Sequence, residues 1–262
     1  MTKTRIVFVH GLDGFGAAAW PAQHRLAGRY DSLFLKRTGF DAAEPPAATD
    51  FAADAAIVIA ALGTGGHLVA HAQGAISAMM AAVERPDLVK SLVLLEPALL
   101  SLTAELPATL AYREHLEPLY ARREELRDTE FAVEFHRLTS STSSAAAPAA
   151  GGLAGTMPGG TVAATGLPST QGESARRRAA RTRLQVPPWE APLHIVPGVP
   201  TVVITGGWEP LYEEIADYLA TTGARHIITR GGHRPQDGPE GAALIEHFLE
   251  EFSGQPGDSG PH

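Results

Sequence analysis

The chain has 262 residues, 44% of them hydrophobic, a formal net charge of −8 and no cysteine. That length and apolar content suffice for one sizeable core in a single α/β domain with insertions. The acidic balance gives the chain as a whole no electrostatic case for binding nucleic acid or an anionic membrane, and the lack of cysteine excludes disulfides, thiolate zinc sites and a cysteine nucleophile.

The opening "MTKTRIVFVHGLDG" holds an apolar run of only Ile6 to Val9, too short for a signal-peptide core. No stretch approaches the roughly 18 apolar residues of a membrane span, so a cytoplasmic protein with no membrane partner is expected. The Ala, Arg, Gly and Pro bias is that of a GC-rich coding sequence, which suggests a bacterial source. In chain order, strands are expected at 5–9, 33–36, 67–71, 91–95, 201–205 and 226–229, and helices at 51–62, 75–84, 212–220 and 239–252. "IVFV", "LVLL" and "TVVI" are apolar without alternation, as strands of a parallel sheet covered on both faces should be. "GTGGH" (Gly63 to His67) precedes a strand and so reads as a turn, not a phosphate loop, and Met79 and Met80 read as core.

Residues 98–197 interrupt the alternation and are expected to form an insertion between the core segments 1–97 and 198–252. Its first part, 103–138, has a helical pattern with charged pairs such as Arg113/Glu117 and Arg122/Glu125 on a solvated face. Residues 141–172 are a Ser/Thr/Ala/Gly/Pro tract, expected to be a flexible loop in a lid. The tail 253–262 is expected to be disordered. The basic run "ARRRAARTRL" (Arg176, Arg177, Arg178, Arg181, Arg183) reads as a solvated helix face, with attraction of a carboxylate or phosphate as the functional alternative.

In open α/β sheets ligands sit outside the carboxyl ends of the strands. There the chain delivers "HGLDG" (His10 to Gly14), "HAQG" (His71 to Gly74), "LEPA" (Leu95 to Ala98), "TGGWEP" (Thr205 to Pro210) and "GGHRPQ" (Gly231 to Gln236). Together these motifs resemble the α/β-hydrolase family from about Arg5 to Phe252, and imply a mostly parallel sheet with helices on both faces and a helical lid. The family's order of nucleophile, acid and histidine maps onto position 72, Glu209 and His233. Glu96 is the alternative acid, because some members place it after the strand that ends at Leu95. The resemblance implies the Leu12 and Gln73 amides as an oxyanion hole. His10, Gly11, His71, Trp189 and Trp208 are candidate pocket residues. His10, His71 and His233 could also converge near Asp13 and Glu209 as a metal site, but their spacing carries no ligand signature, so no metal and no cofactor are expected.

The family's Gly-x-Ser-x-Gly becomes Ala70-His71-Ala72-Gln73-Gly74. Without a hydroxyl at position 72 no acyl-enzyme forms by the usual route, and Ser77 lies on the following helix. Three readings follow. The chain is a hydrolase of ester or thioester lineage whose serine has been replaced, inactive if the replacement is engineered. Alternatively it is a non-hydrolytic, cofactor-free catalyst (cyclase, lyase or oxygenase type) using the His233/Glu209 dyad, or a dead small-molecule binding module. In each, the pocket is built for a small ester, thioester or other carbonyl compound.

Overall fold

A computed structural model describes residues 3–145 and 170–253. Six strands, β1 (Arg5–Val9), β2 (Asp31–Phe34), β3 (Gly66–His71), β4 (Val89–Leu95), β5 (Thr201–Thr205) and β6 (Arg225–Ile228), form one sheet in the order β2-β1-β3-β4-β5-β6. Every pairing is parallel, which requires crossover connections. The described helices are α1 (Phe51–Leu62), α2 (Gly74–Glu84), α3 (Pro107–Ala121), α4 (Asp128–Ala145), α5 (Thr170–Leu184), α6 (Pro210–Thr221) and α7 (Pro239–Ser253), with short 3-10 turns between elements. None is long and apolar enough to cross a membrane.

Alternation along each strand sends side chains to two cores. Val7, Leu68, Leu92 and Val203 pack with α1, α2 and α6. Ile6, Phe8, Val69, Val93 and Ile204 pack with α7 and the 3-10 turns around Trp20 and Leu26. Two strands lie closer to the N-terminus than expected. At β2 the ladder with β1 ends at the Phe8–Phe34 pair, and at β6 the ladder with β5 ends at Thr205–Ile228. Both are edge strands, where a single neighbour sets the boundary.

The chain leaves β1 to one side to form β2 and returns to form β3 on the other side of β1. The loops after β1 and β3 therefore diverge and open a crevice at their carboxyl ends. A Cβ on Gly74 would lie 2.5 Å from the carbonyl oxygens of both Val9 and His10, so only glycine lets α2 start this close to the β1 loop.

Between β4 and β5, α3 and α4 share a small core of Leu116, Leu119, Tyr120, Phe131 and Leu138. The N-terminus of α3 is capped from α6, where Glu214 accepts the Ala108 and Thr109 N–H groups, both at 2.8 Å. The arginine run on α5 is only partly a solvated face. Arg176 and Arg178 are exposed, but Arg181 is buried, donating to the carbonyls of Gly39 (3.1 Å) and Asp41 (2.9 Å) with its guanidinium 4.7 Å from the Phe15 ring. Arg177 bonds the Ala42 carbonyl, and Arg183 reaches Asp128 at 2.5 Å. These contacts fasten α5 to the loop after β2 and to α4.

The loop expected over 141–172 is helical at both ends, since α4 runs on through Ala145 and α5 starts at Thr170. No Gly or Pro interrupts the sequence between Asp128 and Pro148, so nothing local ends α4 sooner. Residues 146–169, which hold the rest of that expected loop, lie outside the described residues. Ser253, expected to begin a disordered tail, closes α7, and its hydroxyl donates to the Leu249 carbonyl at 2.6 Å. The remainder of the tail also lies outside the described residues.

That hydroxyl also meets His67, a fully buried side chain whose Nδ1 lies 2.8 Å from Ser91 Oγ and whose Nε2 lies 3.1 Å from Ser253 Oγ. Burial lowers the His67 pKa from 6.5 to about 4, with Lys90 adding to the effect. The folded state thus resists a proton that the unfolded chain accepts below about pH 6.5. Stability is full above that pH and falls as pH drops toward 4, by about 3 kcal/mol from this residue. Urea denaturation across this range should show the loss, with a shallower profile in His67→Gln. A flat wild-type profile would rule the effect out.

Candidate active site

Ala72 turns the corner between β3 and α2 with φ 49°, and Glu96 turns the corner after β4 with φ 46°. Left-handed backbone costs a non-glycine residue about 1–2 kcal/mol, and such strain collects at functional sites. The Ala72 corner is held on both sides. Its N–H donates to the Leu95 carbonyl at 3.0 Å, and its carbonyl accepts from Ala75 and Ala98, each at 3.1 Å. The corner keeps an elbow's geometry although its side chain is a methyl group.

Beside Ala72, the Leu12 and Gln73 amides have no hydrogen-bond acceptor among the described residues. Gln73 directly precedes α2, so its amide lies at the positive end of the helix dipole. Ala72, Gln73 and Leu12 all line a cavity of about 330 Å³ that His233 also lines.

The sequence reading favoured Glu209 behind His233; the structure brings Glu96 there. The fully buried Glu96 carboxylate accepts the Gly206 N–H at 2.5 Å and the Trp208 indole N–H at 2.9 Å, and its Oε2 lies 3.7 Å from His233 Nδ1. Two donors from the loop after β5 orient a carboxylate supplied by β4. Glu209, at the N-cap of α6, is instead a largely buried residue of the cavity lining.

His71 steadies the histidine loop, since its Nε2 bonds the His233 carbonyl at 2.7 Å and the two rings lie 4.8 Å apart. That carbonyl can only accept, so Nε2 carries the proton. His10 does the same for the first loop, with Nδ1 donating to the Gly11 carbonyl at 2.7 Å and Nε2 accepting the Arg37 N–H at 3.1 Å. Burial pushes both imidazoles well below their usual range, with Arg37 the next cause at His10 and His233 at His71. His10, Gly11, His71 and Trp189 were expected in the pocket, but none is among the residues that line it. The rings of His10 and His71 are engaged with backbone, and Trp189 packs edge-on against Tyr120 at 5.3 Å. Trp208 does line the cavity, with its ring 5.8 Å from that of His233.

The inserted helices complete the lining with Tyr112, Leu116 and Tyr120 from α3 and Phe135 from α4. Sequence reasoning named none of these as site residues. The spacing of four in 112, 116 and 120 was a readable signal, because it places the three on one helix face. Tyr212, also in the lining, was likewise passed over, and Asp13 was weighed only as a metal partner.

A model described as "Alpha/beta hydrolase family" matches residues 6–243. Among solved structures, MenH from S. aureus shares 15% identity with a TM-score of 0.59, covering 96% of this chain and 95% of its own. An epoxide hydrolase from Bacillus megaterium bound to an inhibitor shares 13% (TM-score 0.59; 94% and 93% covered). A thermophilic esterase from Thermogutta terrifontis, malate-bound, shares 17% (TM-score 0.56; 96% and 91% covered). At these identities the likeness is one of fold. No curated protein matches the chain.

Proposed function

Because this chain belongs to the alpha/beta hydrolase family yet carries a methyl group at its elbow, we propose that it is an acid–base catalyst acting on a small carbonyl compound without an acyl-enzyme. His233 is the base, Glu96 positions it, and the Leu12 and Gln73 amides receive the oxyanion. The pocket descends from ester or thioester hydrolysis, and the substrate is an ester, thioester or other carbonyl compound. His233 Nε2 takes a proton from the carbon beside the carbonyl, the electron pair of that C–H bond moves onto the carbonyl oxygen, and the amides stabilise the enolate. Glu96 stabilises the imidazolium until the proton is returned. The step requires no resident cofactor.

The observation that carries this reading is the open side of His233. Its Nδ1 faces Glu96, it lines the cavity, and no described group hydrogen-bonds its Nε2. Both nitrogens of His10, by contrast, are engaged by the protein.

Ala72→Ser should gain p-nitrophenyl acetate hydrolysis by at least about 10³-fold, recovering part of the roughly 10⁶ that loss of a triad serine costs in a protease. It should also become labelled by a fluorophosphonate. Wild-type protein should in addition speed deuterium exchange beside the carbonyl of a simple ketone, and His233→Ala should abolish this. No gain in the serine variant would mean that the amides and the base are not assembled around position 72. Gain without wild-type exchange would leave a disabled hydrolase in place of the acid–base catalyst.

A further inference from the structure

The cavity is charged with one sign. Among the described residues its lining includes the largely buried Glu209 and the exposed Asp13, and no lysine or arginine. Residues 146–169, outside the described residues, contain no Lys, Arg or His in sequence. Of the two lining histidines, His136 is exposed, and His233 must be neutral to accept a proton in the proposed reaction. The remaining surface is rich in aromatic rings. Trp208 and Tyr212 lie 6.0 Å apart, Tyr212 lies 5.4 Å from the His233 ring, and Tyr112 and Tyr120 enter from α3.

The tyrosines register this field. Burial raises the Tyr112 phenol, and the Glu209 carboxylate raises it further. Tyr212, raised chiefly by burial, is raised also by Tyr112, Glu96, Glu209 and Asp13. A further negative charge is disfavoured at these phenols, whereas a positive one beside them would meet a carboxylate and the faces of several rings in a partly desolvated space.

We infer that the cavity takes a carbonyl compound that also carries a protonated amine, with Glu209 as its counter-charge and Tyr112, Tyr212 and Trp208 as the aromatic faces around it. This rests on the cavity being the substrate pocket, as proposed above. An apolar pocket whose charged lining is carboxylate separates an ammonium compound from its carboxylate analogue twice over, by attracting the first and repelling the second.

The test is calorimetric titration of the 262-residue protein, at about pH 7.5, with three ketones of one shape. They are 4-phenylbutan-2-one bearing a para aminomethyl, methyl or carboxyl group. The amine is expected to bind at least about tenfold more tightly than the methyl compound, and the acid at least about tenfold more weakly. Glu209→Gln should reduce the amine's advantage over the methyl compound to less than about threefold. Asp13→Asn, which alters only an exposed side chain, should take away a smaller part of it. An acid that binds as tightly as the amine, or no binding by any of the three, overturns the inference. So does an amine preference that neither variant reduces. Binding is read without turnover, so a protein that prefers the amine but exchanges no protons loses only the catalytic reading. An active catalyst that prefers the acid loses only this one.

Discussion

Glu96→Gln, placed in the Ala72→Ser protein, is expected to lower ester turnover by on the order of 10⁴-fold, the loss seen when a protease triad's carboxylate becomes an amide. The cause is local. Glu96 Oε2 faces His233 Nδ1 at 3.7 Å, and an amide NH₂ there can neither stabilise an imidazolium nor hold the tautomer that leaves Nε2 free to take a proton. Glu209→Gln in the same background should lose at least about a hundredfold less, because its role is proposed to be towards the substrate and not the base. Stopped-flow or steady-state kinetics on both, with denaturation midpoints as a fold control, decide the matter. If Glu209→Gln shows the larger loss, Glu209 is the residue behind the imidazole.

Asp54→Ala is expected to destabilise the protein by about 3–5 kcal/mol, the cost of stripping one partner from a buried ion pair. Asp54 and Arg37 are almost fully buried, 3.6 Å apart at their closest charged atoms. Asp54 also accepts the Thr38 N–H at 2.7 Å. Burial lowers the Arg37 pKa to about 10 even with Asp54 raising it. Without that carboxylate the guanidinium is an uncompensated charge inside the protein.

The same guanidinium donates to the Gly11 carbonyl at 3.1 Å, while the Arg37 backbone N–H holds the His10 ring. The loss should therefore reach the Leu12 amide, and any activity gained by Ala72→Ser should fall along with stability. Urea denaturation measures the first effect and ester kinetics the second. The Arg37→Met, Asp54→Leu double variant, which buries no charge, should recover much of the stability. A single-variant loss under about 1 kcal/mol would show that water or another group already compensates the pair.

Most of the scaffold was legible in the chain because it follows from short-range rules. An apolar run such as "LVLL", too short for a helix and set between polar turns, satisfies its backbone and buries both faces inside a covered sheet. The apolar helical pattern of 51–62 needs nothing beyond its own spacing and the Asp50 cap, whose side chain accepts the Ala53 N–H at 2.9 Å. Strand-end motifs in a fixed order were enough to place Ala72, Gln73, Leu12 and His233 around one crevice. The vacancy at position 72 was equally plain, since a side chain's chemistry is the one property the sequence states outright.

What tertiary structure decided was which groups meet across loops. Glu96 and Glu209 stand at the ends of neighbouring strands, 113 positions apart in the chain, and either could serve a histidine delivered beyond them. The choice fell to a left-handed backbone at Glu96 and to donors from Gly206 and Trp208, more than a hundred residues away in sequence. Arg181 reads in sequence as part of a solvated face and nothing in the sequence singles out Glu214, yet each holds an inserted helix to the core through backbone groups no local pattern reveals. Hydrophobic periodicity is written residue by residue, so a single chain displays it. Pairing between polar groups depends on distances of a few ångströms between segments remote in sequence, and those distances exist only once the sheet has assembled.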